Sequence, residues 1–258
     1  MNNFSEIEMG IINKVTFFIN ETLKIWFNQG SRNGNKVNFL HEQIREVLIQ
    51  FIDKDRYDII IEWKVNWYLK PKDCDLVIVN KLNFQTENNK TIEDLHLEKK
   101  GNSLIISWVE EIISVKNPLS SYSKNKGNYY ENVIGEAVNL KLAGVNYTQF
   151  LFISDEIPKY KKDDNWNEIF LWMDYIKEEE IEIFKKLKHL KVENSYILDD
   201  FVTFLYHVNR YDEDFVYKEE LKLTDPNIKL YVENIDEIQY VFYFFEYLNK
   251  FISRYWKY

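Results

Sequence analysis

A carboxylate and an ammonium in this chain stand at the ends of two apolar runs. Asp75 opens the run Leu76-Val77-Ile78-Val79, and Lys116 closes LIISWVEEIISVK, residues 104 to 116. If the two runs are neighbouring antiparallel strands, both residues reach the same edge of a sheet. Such an edge suits a metal-assisted attack on a phosphodiester. Mg²⁺ takes one or two carboxylates, keeps several waters and accepts phosphate oxygens. A nearby lysine orients the attacking water and offsets charge in the transition state. Taken singly, Asp75 also reads as a turn or cap residue and Lys116 as a solvated strand end; the pair is what points to chemistry.

The elements that must position this pair follow from periodicity. Residues 4 to 28 and 37 to 52 repeat apolar side chains at helical steps, with Phe39, Ile44, Val47, Leu48 and Phe51 on one face of the second helix beside Glu42 and Glu46. Three strands follow, at 57 to 67, 74 to 81 and 104 to 116, the last long enough to require a bend. The polar stretch from 83 to 103 leaves the sheet. After Lys116, a loop through Pro118 and Gly127 leads to a helix with Tyr130, Val133, Ile134, Ala137, Val138 and Leu140 on one face, and TQFLFIS, 148 to 154, is a strand. A strand, a helix and a strand of this length form a crossover that places the last strand parallel to the third, while the first three form an antiparallel meander. Helices are expected near 165 to 189, 196 to 208 and 235 to 257. The fold class is therefore mixed α/β: a mixed sheet flanked by helices, forming one domain over 1–258 with a core at about 31–154 and a helical C-terminal extension at about 165–258.

On PKDCDLVIV with Asp75, on SVKNP with Lys116, and on the helix carrying Glu42, the chain resembles the PD-(D/E)xK nuclease superfamily, and within it the type II restriction endonucleases. The resemblance covers about 31 to 154 and implies a restriction-endonuclease-like core. The departure is Ser114, where the pattern carries an acid two residues before the lysine. Glu110 shares the face of Ser114 but lies about 20 Å from Lys116 along an extended strand, and Glu111 points to the other face unless a bulge intervenes. Some restriction enzymes with serine at this position recruit a glutamate from the following helix, which implicates Glu131 or Glu136. Both border the apolar stripe of that helix, and Glu131 is preferred as the nearer to its N-terminus. Its alternative role is an acid favoured by the helix dipole. The resemblance also implies that Glu42 approaches the metal; otherwise it is an exposed helical residue.

The resemblance thus implies a Mg²⁺-dependent, sequence-specific endonuclease of double-stranded DNA, acting as a homodimer on palindromic sites. Asp75, Lys116, Glu131 and Glu42 are its expected catalytic residues, with Asp75 and Glu131 or Glu136 on the metal. Asn117, Ser120, Ser121, Lys124 and Lys126, in the loop after the third strand, are expected to contact DNA. Alternatives are a nonspecific or repair nuclease of the same fold, and a catalytically silent nucleic-acid-binding protein that lost its acid at 114. The net charge of −9 argues against coating nucleic acid or membranes by overall charge, though not against a local basic groove. One cysteine and four scattered histidines give no intramolecular disulfide and no zinc-ligand spacing. MNNFSEIEMG lacks a basic segment followed by an apolar run, and no uncharged stretch is long enough to span a bilayer, so a cytoplasmic protein without membrane attachment is expected.

Overall fold

The structure is a computed structural model. It describes residues 34–66, 71–83, 104–116, 122–154, 156–162, 168–175, 182–183, 186–192, 195–208, 228–230 and 235–256, together with Gly10. Apart from Gly10, the helix expected at 4 to 28 lies outside the described residues, as does nearly all of the polar stretch at 83 to 103.

Helix α1 (Gly34–Leu48) turns Leu40, Ile44, Val47 and Leu48 inward at steps of three and four, and a 3₁₀ turn at Ile49–Phe51 ends it. Strands β1 (Tyr57–Asn66) and β2 (Pro71–Asn80) pair antiparallel, from Tyr57 opposite Asn80 to Asn66 opposite Pro71. The long third run is interrupted, as its length requires. Its first part, β3 (Leu104–Ile105), pairs parallel with β1; a 3₁₀ turn at Ile106–Trp108 follows, and β4 (Val109–Lys116) then runs antiparallel to β2. Helix α2 (Tyr122–Leu142) crosses back over the sheet. Gly144, at φ 76°, takes the left-handed conformation that lets the chain leave α2. Strand β5 (Asn146–Ser154) then lies parallel to β4, as the crossover implied.

The C-terminal part departs from expectation. β6 (Glu156–Lys162) and β7 (Glu168–Tyr175) form an antiparallel pair of their own, and so do β8 (Lys191–Val192) and β9 (Ser195–Tyr196). β10 (Asp200–Val208) is a strand parallel to β5, in place of the helix expected at 196 to 208, and β11 (Ile228–Leu230) pairs antiparallel with it. The reason lies in the run Phe201-Val202-Thr203-Phe204-Leu205-Tyr206. A strand covered on both faces shows a continuous apolar run, which periodicity alone does not separate from a buried helix. Phe201 and Val202 are both buried, one on each side of the sheet. The helix expected at 165 to 189 is likewise replaced at 168–175 by β7. Helical residues remain at 182–183 and 186–188 within that stretch, and α3 (Ile235–Tyr255) keeps the helix expected at 235 to 257.

The result is a seven-stranded mixed sheet in the order β11-β10-β5-β4-β2-β1-β3. One face carries α1 and α3, whose Leu48, Tyr247 and Phe251 pack on Ile59, Leu76, Ile113 and Phe150. The other carries α2, whose Val133, Ala137 and Leu140 pack with Val77, Ile112, Tyr147 and Leu151. Among the described residues, no helix is long and apolar enough to cross a membrane.

Candidate active site

The site lies where two paired strands part. β2 and β4 pair, with a register shift between Ile78 and Val79, up to Leu76 opposite Ile113, while β4 continues beside β5 as far as Lys116 opposite Leu151. Beyond that point β2 stays with β1. Backbone groups of β4 in the opening of this fork are not all claimed by a neighbouring strand, and Asp75 fills the gap. Its Oδ2 accepts the Val115 N–H at 2.6 Å and the Ser114 hydroxyl at 3.2 Å, and the Lys116 ammonium lies 4.0 Å away. The acid and the lysine at the ends of the two apolar runs therefore meet. Ser114 does not coordinate in place of an acid; it holds the acid opposite.

The peptide between Ser114 and Val115 is gripped at both ends. Its N–H goes to Asp75, while its carbonyl accepts Gln149 Nε2 at 2.9 Å. Gln149, buried on β5 opposite Ser114, also donates to the Phe150 carbonyl at 2.8 Å. A fully satisfied buried amide of this kind fixes the orientation of the groups it touches.

On the α2 side of the fork, an open cleft of about 220 Å³ is lined by Lys72, Asp73, Cys74, Asp75, Ile112, Ser114, Lys116 and Glu136. Glu136 pairs with Lys72 and accepts the Tyr147 hydroxyl at 2.8 Å. Burial, and then the charge of Glu136, raise the Tyr147 phenol well above its ordinary value, so it remains a donor. Glu131, in contrast, is exposed. Helix α2 begins at Tyr122, so Glu131 sits in its third turn, roughly 13 Å along the axis from the first residue. The premise that places Glu131 near the helix N-terminus does not hold. Residues 122 to 129, whose serine, asparagine and glycine content suggests a loop, are helical instead. A Cβ added at Gly127 would meet nothing within 4 Å, and a glycine there weakens the helix by only about 1 kcal/mol.

On the opposite side, a second group converges on Asp75. His41 of α1, Glu62 of β1 and Asp75 place one potential ligand atom each within 4.8 Å of one another, and together they can hold a metal ion. Glu42 is exposed, while its neighbour His41 is 1% exposed and hydrogen-bonds Glu62 through Nδ1. One residue is a 100° rotation on a helix, which is enough to exchange an outer position for an inner one. His41 also stands three residues before Ile44 and seven before Leu48, on the buried stripe, and that spacing was a usable signal. Glu62 was hidden. It has φ 50°, the one positive φ among described residues other than glycine, and it lies opposite Asp75 between the Ile61–Leu76 and Trp63–Cys74 pairs. Holding a glutamate in that region costs about 1–3 kcal/mol, and such strain concentrates at functional sites.

His41 Nε2 is buried with no hydrogen-bond partner among the described residues, a condition that costs about 1–3 kcal/mol unless something occupies it. The imidazole and the two carboxylates of this group are donors that a dication accepts.

The expected DNA contacts divide. Asn117, Ser120 and Ser121 lie outside the described residues. Lys124 falls within α2, and Lys126 is half-buried there. Beside the cleft, a second, largely apolar one of about 280 Å³ is lined by Lys116, Tyr129, Tyr130, Val133, Gln149, Leu151, Leu187 and Phe201. Lys116 thus stands between a charged cleft and an aromatic one. Comparisons of the chain with protein-family models, with curated proteins and with solved structures find no match, so a functional reading rests on the side chains gathered at this fork.

Proposed function

We propose that the chain is a divalent-cation-dependent endonuclease that cuts double-stranded DNA at defined sequences, with a restriction-endonuclease-like core and a twofold dimer as its working form. The observation that carries this reading is the fork itself. A carboxylate held on one oxygen by two donors faces an ammonium 4.0 Å away, beside an open cleft. Among the described residues, both hydrogen bonds to this carboxylate fall on Oδ2, which leaves Asp75 Oδ1 for a ligand.

A bound dication, Mg²⁺ by the resemblance, would be held by Asp75 with His41 and Glu62, and would supply Lewis acidity at a phosphate oxygen and a more acidic water. The protein's own groups do the rest. Val115 N–H and the Ser114 hydroxyl lock the Asp75 rotamer, and Gln149 locks the peptide that presents that N–H. Lys116 orients the attacking water and balances the charge that builds on the phosphoryl oxygens. Glu136 holds Lys72 in the same cleft, where that ammonium meets an incoming phosphate.

The test is digestion of plasmid and phage DNA with and without added dication, for the wild type and Lys116→Ala. Discrete fragments that depend on the cation, with cutting reduced about 10²–10⁴-fold by Lys116→Ala, support the reading. Cutting without a cation, or undiminished cutting by Lys116→Ala, refutes it. A smear in place of fragments favours a nonspecific nuclease, and DNA binding without any turnover favours a silent binder.

A further inference from the structure

The imidazole of His41 alters which cation the Asp75 cluster selects. Mg²⁺ prefers oxygen donors, keeps most of its water and is strict about octahedral geometry. An imidazole nitrogen instead favours first-row transition ions, whose affinity for nitrogen-containing sites rises from Mn²⁺ onward. Mg²⁺ is the expectation for carboxylates alone, with Glu42 rather than His41 at the metal.

Three features of the cluster point to nitrogen ligation. His41 is 1% exposed, so its ring is out of reach of bulk water. One ring nitrogen, Nδ1, meets Glu62 directly, so an ion shared by His41 and Glu62 lies on the Nδ1 side of the ring. Glu62 and Asp75 bring ligand oxygens within 4.8 Å of a ring nitrogen and of each other.

We infer that His41, Glu62 and Asp75 form a site for a first-row transition dication, with His41 supplying a nitrogen ligand, and that the site prefers Mn²⁺ to Mg²⁺. The inference rests on Asp75 as the metal-bearing carboxylate of the proposed nuclease and specifies the ion that carboxylate takes. It requires no cleavage to be observed.

The experiment is Mn²⁺ binding to the full chain, followed by electron paramagnetic resonance, with pulsed spectra to detect nitrogen coupled to the bound ion. The wild type is expected to show ¹⁴N modulation on bound Mn²⁺ and to hold it at least about tenfold more tightly than Mg²⁺ in competition. His41→Gln, checked for folding by circular dichroism, is expected to lose the modulation and most of that preference. Bound Mn²⁺ without ¹⁴N modulation in the wild type overturns the inference whether or not the variant folds. An unchanged Mn²⁺-to-Mg²⁺ ratio in folded His41→Gln also overturns it. Nitrogen coupling in a protein that leaves DNA uncut supports the site and counts against the nuclease. Mg²⁺-driven cutting by a protein without nitrogen coupling supports the nuclease and overturns the site.

Discussion

Replacing Glu136 with glutamine separates the two helical glutamates that the sequence leaves in competition. The Glu136 side chain is 11% exposed, accepts the Tyr147 hydroxyl at 2.8 Å and pairs with Lys72. Glutamine keeps the shape and an acceptor oxygen, so the Tyr147 bond changes from charge-assisted to neutral, a loss of about 1 kcal/mol. Lys72 is 37% exposed and is rehydrated when its partner loses charge, so the ion pair adds no more than about 1 kcal/mol. The total of about 1–2 kcal/mol lowers the melting temperature by about 2–8 °C in a chain of this size and leaves the protein folded. In the cleft, the same carboxylate contacts the groups proposed to meet DNA. A charged contact worth about 1.5–3 kcal/mol in the transition state corresponds to about a 10- to 150-fold fall in cutting. Glu131→Gln, on an exposed turn, changes stability by less than about 0.5 kcal/mol and cutting by less than about twofold. Single-turnover cleavage of supercoiled plasmid, with thermal melts of both variants, reads each number. Loss of cutting in Glu131→Gln with normal cutting in Glu136→Gln refutes the assignment.

Glu62→Gly relieves the left-handed backbone and Glu62→Ala does not, so urea melts are expected to place the glycine variant about 1 kcal/mol above the alanine one, with dication binding weakened in both; equal stabilities would show that φ 50° stores no strain. Gln149→Met frees the Ser114 carbonyl and is expected to lower the cutting rate with little change in DNA affinity measured in Ca²⁺, whereas a loss of affinity alone would assign Gln149 to binding. Glu111, fully buried on β4, accepts hydroxyls from Thr148, Tyr247 and Tyr255, and burial raises its carboxyl above the ordinary range. A raised folded value means that its contribution is complete below the unfolded value and is lost as pH rises through the folded one. Glu111→Gln is therefore expected to remove part of a stability decline that sets in as pH rises through the ordinary carboxylate range, with a slope of at most about 1.4 kcal/mol per pH unit, and parallel pH profiles for the two proteins would count against it.

What could be read from the sequence was what depends on strand order and strand ends. Asp75 and Lys116 were findable because each terminates an apolar run and a short antiparallel meander leaves one place for both. The crossover to β5 was findable because a helical period between two strands returns the chain parallel to the strand it left. β10 was not, since a strand covered by α3 on one face and by the segment around Leu187 and Leu198 on the other has no polar side to mark its period. His41 was hidden by an adjacent glutamate of the type the resemblance supplied. Glu62 was hidden more deeply, because its position depends on a backbone angle that no residue preference of glutamate announces.

Ser114 gives a physical reason why the acids of this site are dispersed. Its hydroxyl lies 3.2 Å from Asp75 Oδ2, so an acid placed there would set two carboxylates side by side. Such a pair stays ionised only while a cation lies between them, and without one it repels or takes up a proton. Serine reverses that interaction by donating to Asp75, which leaves the fork stable before any cation arrives. The remaining ligand capacity must then come from beyond β4. Beside Asp75, at the parting of the strands, stand His41 and Glu62 toward α1, which with it could hold a metal ion, and Glu136 toward α2, which pairs with Lys72 in the cleft. In the proposed nuclease, a site arranged in this way would tie cation binding to the packing of α1 and the approach of DNA to α2, with Asp75 taking part in both.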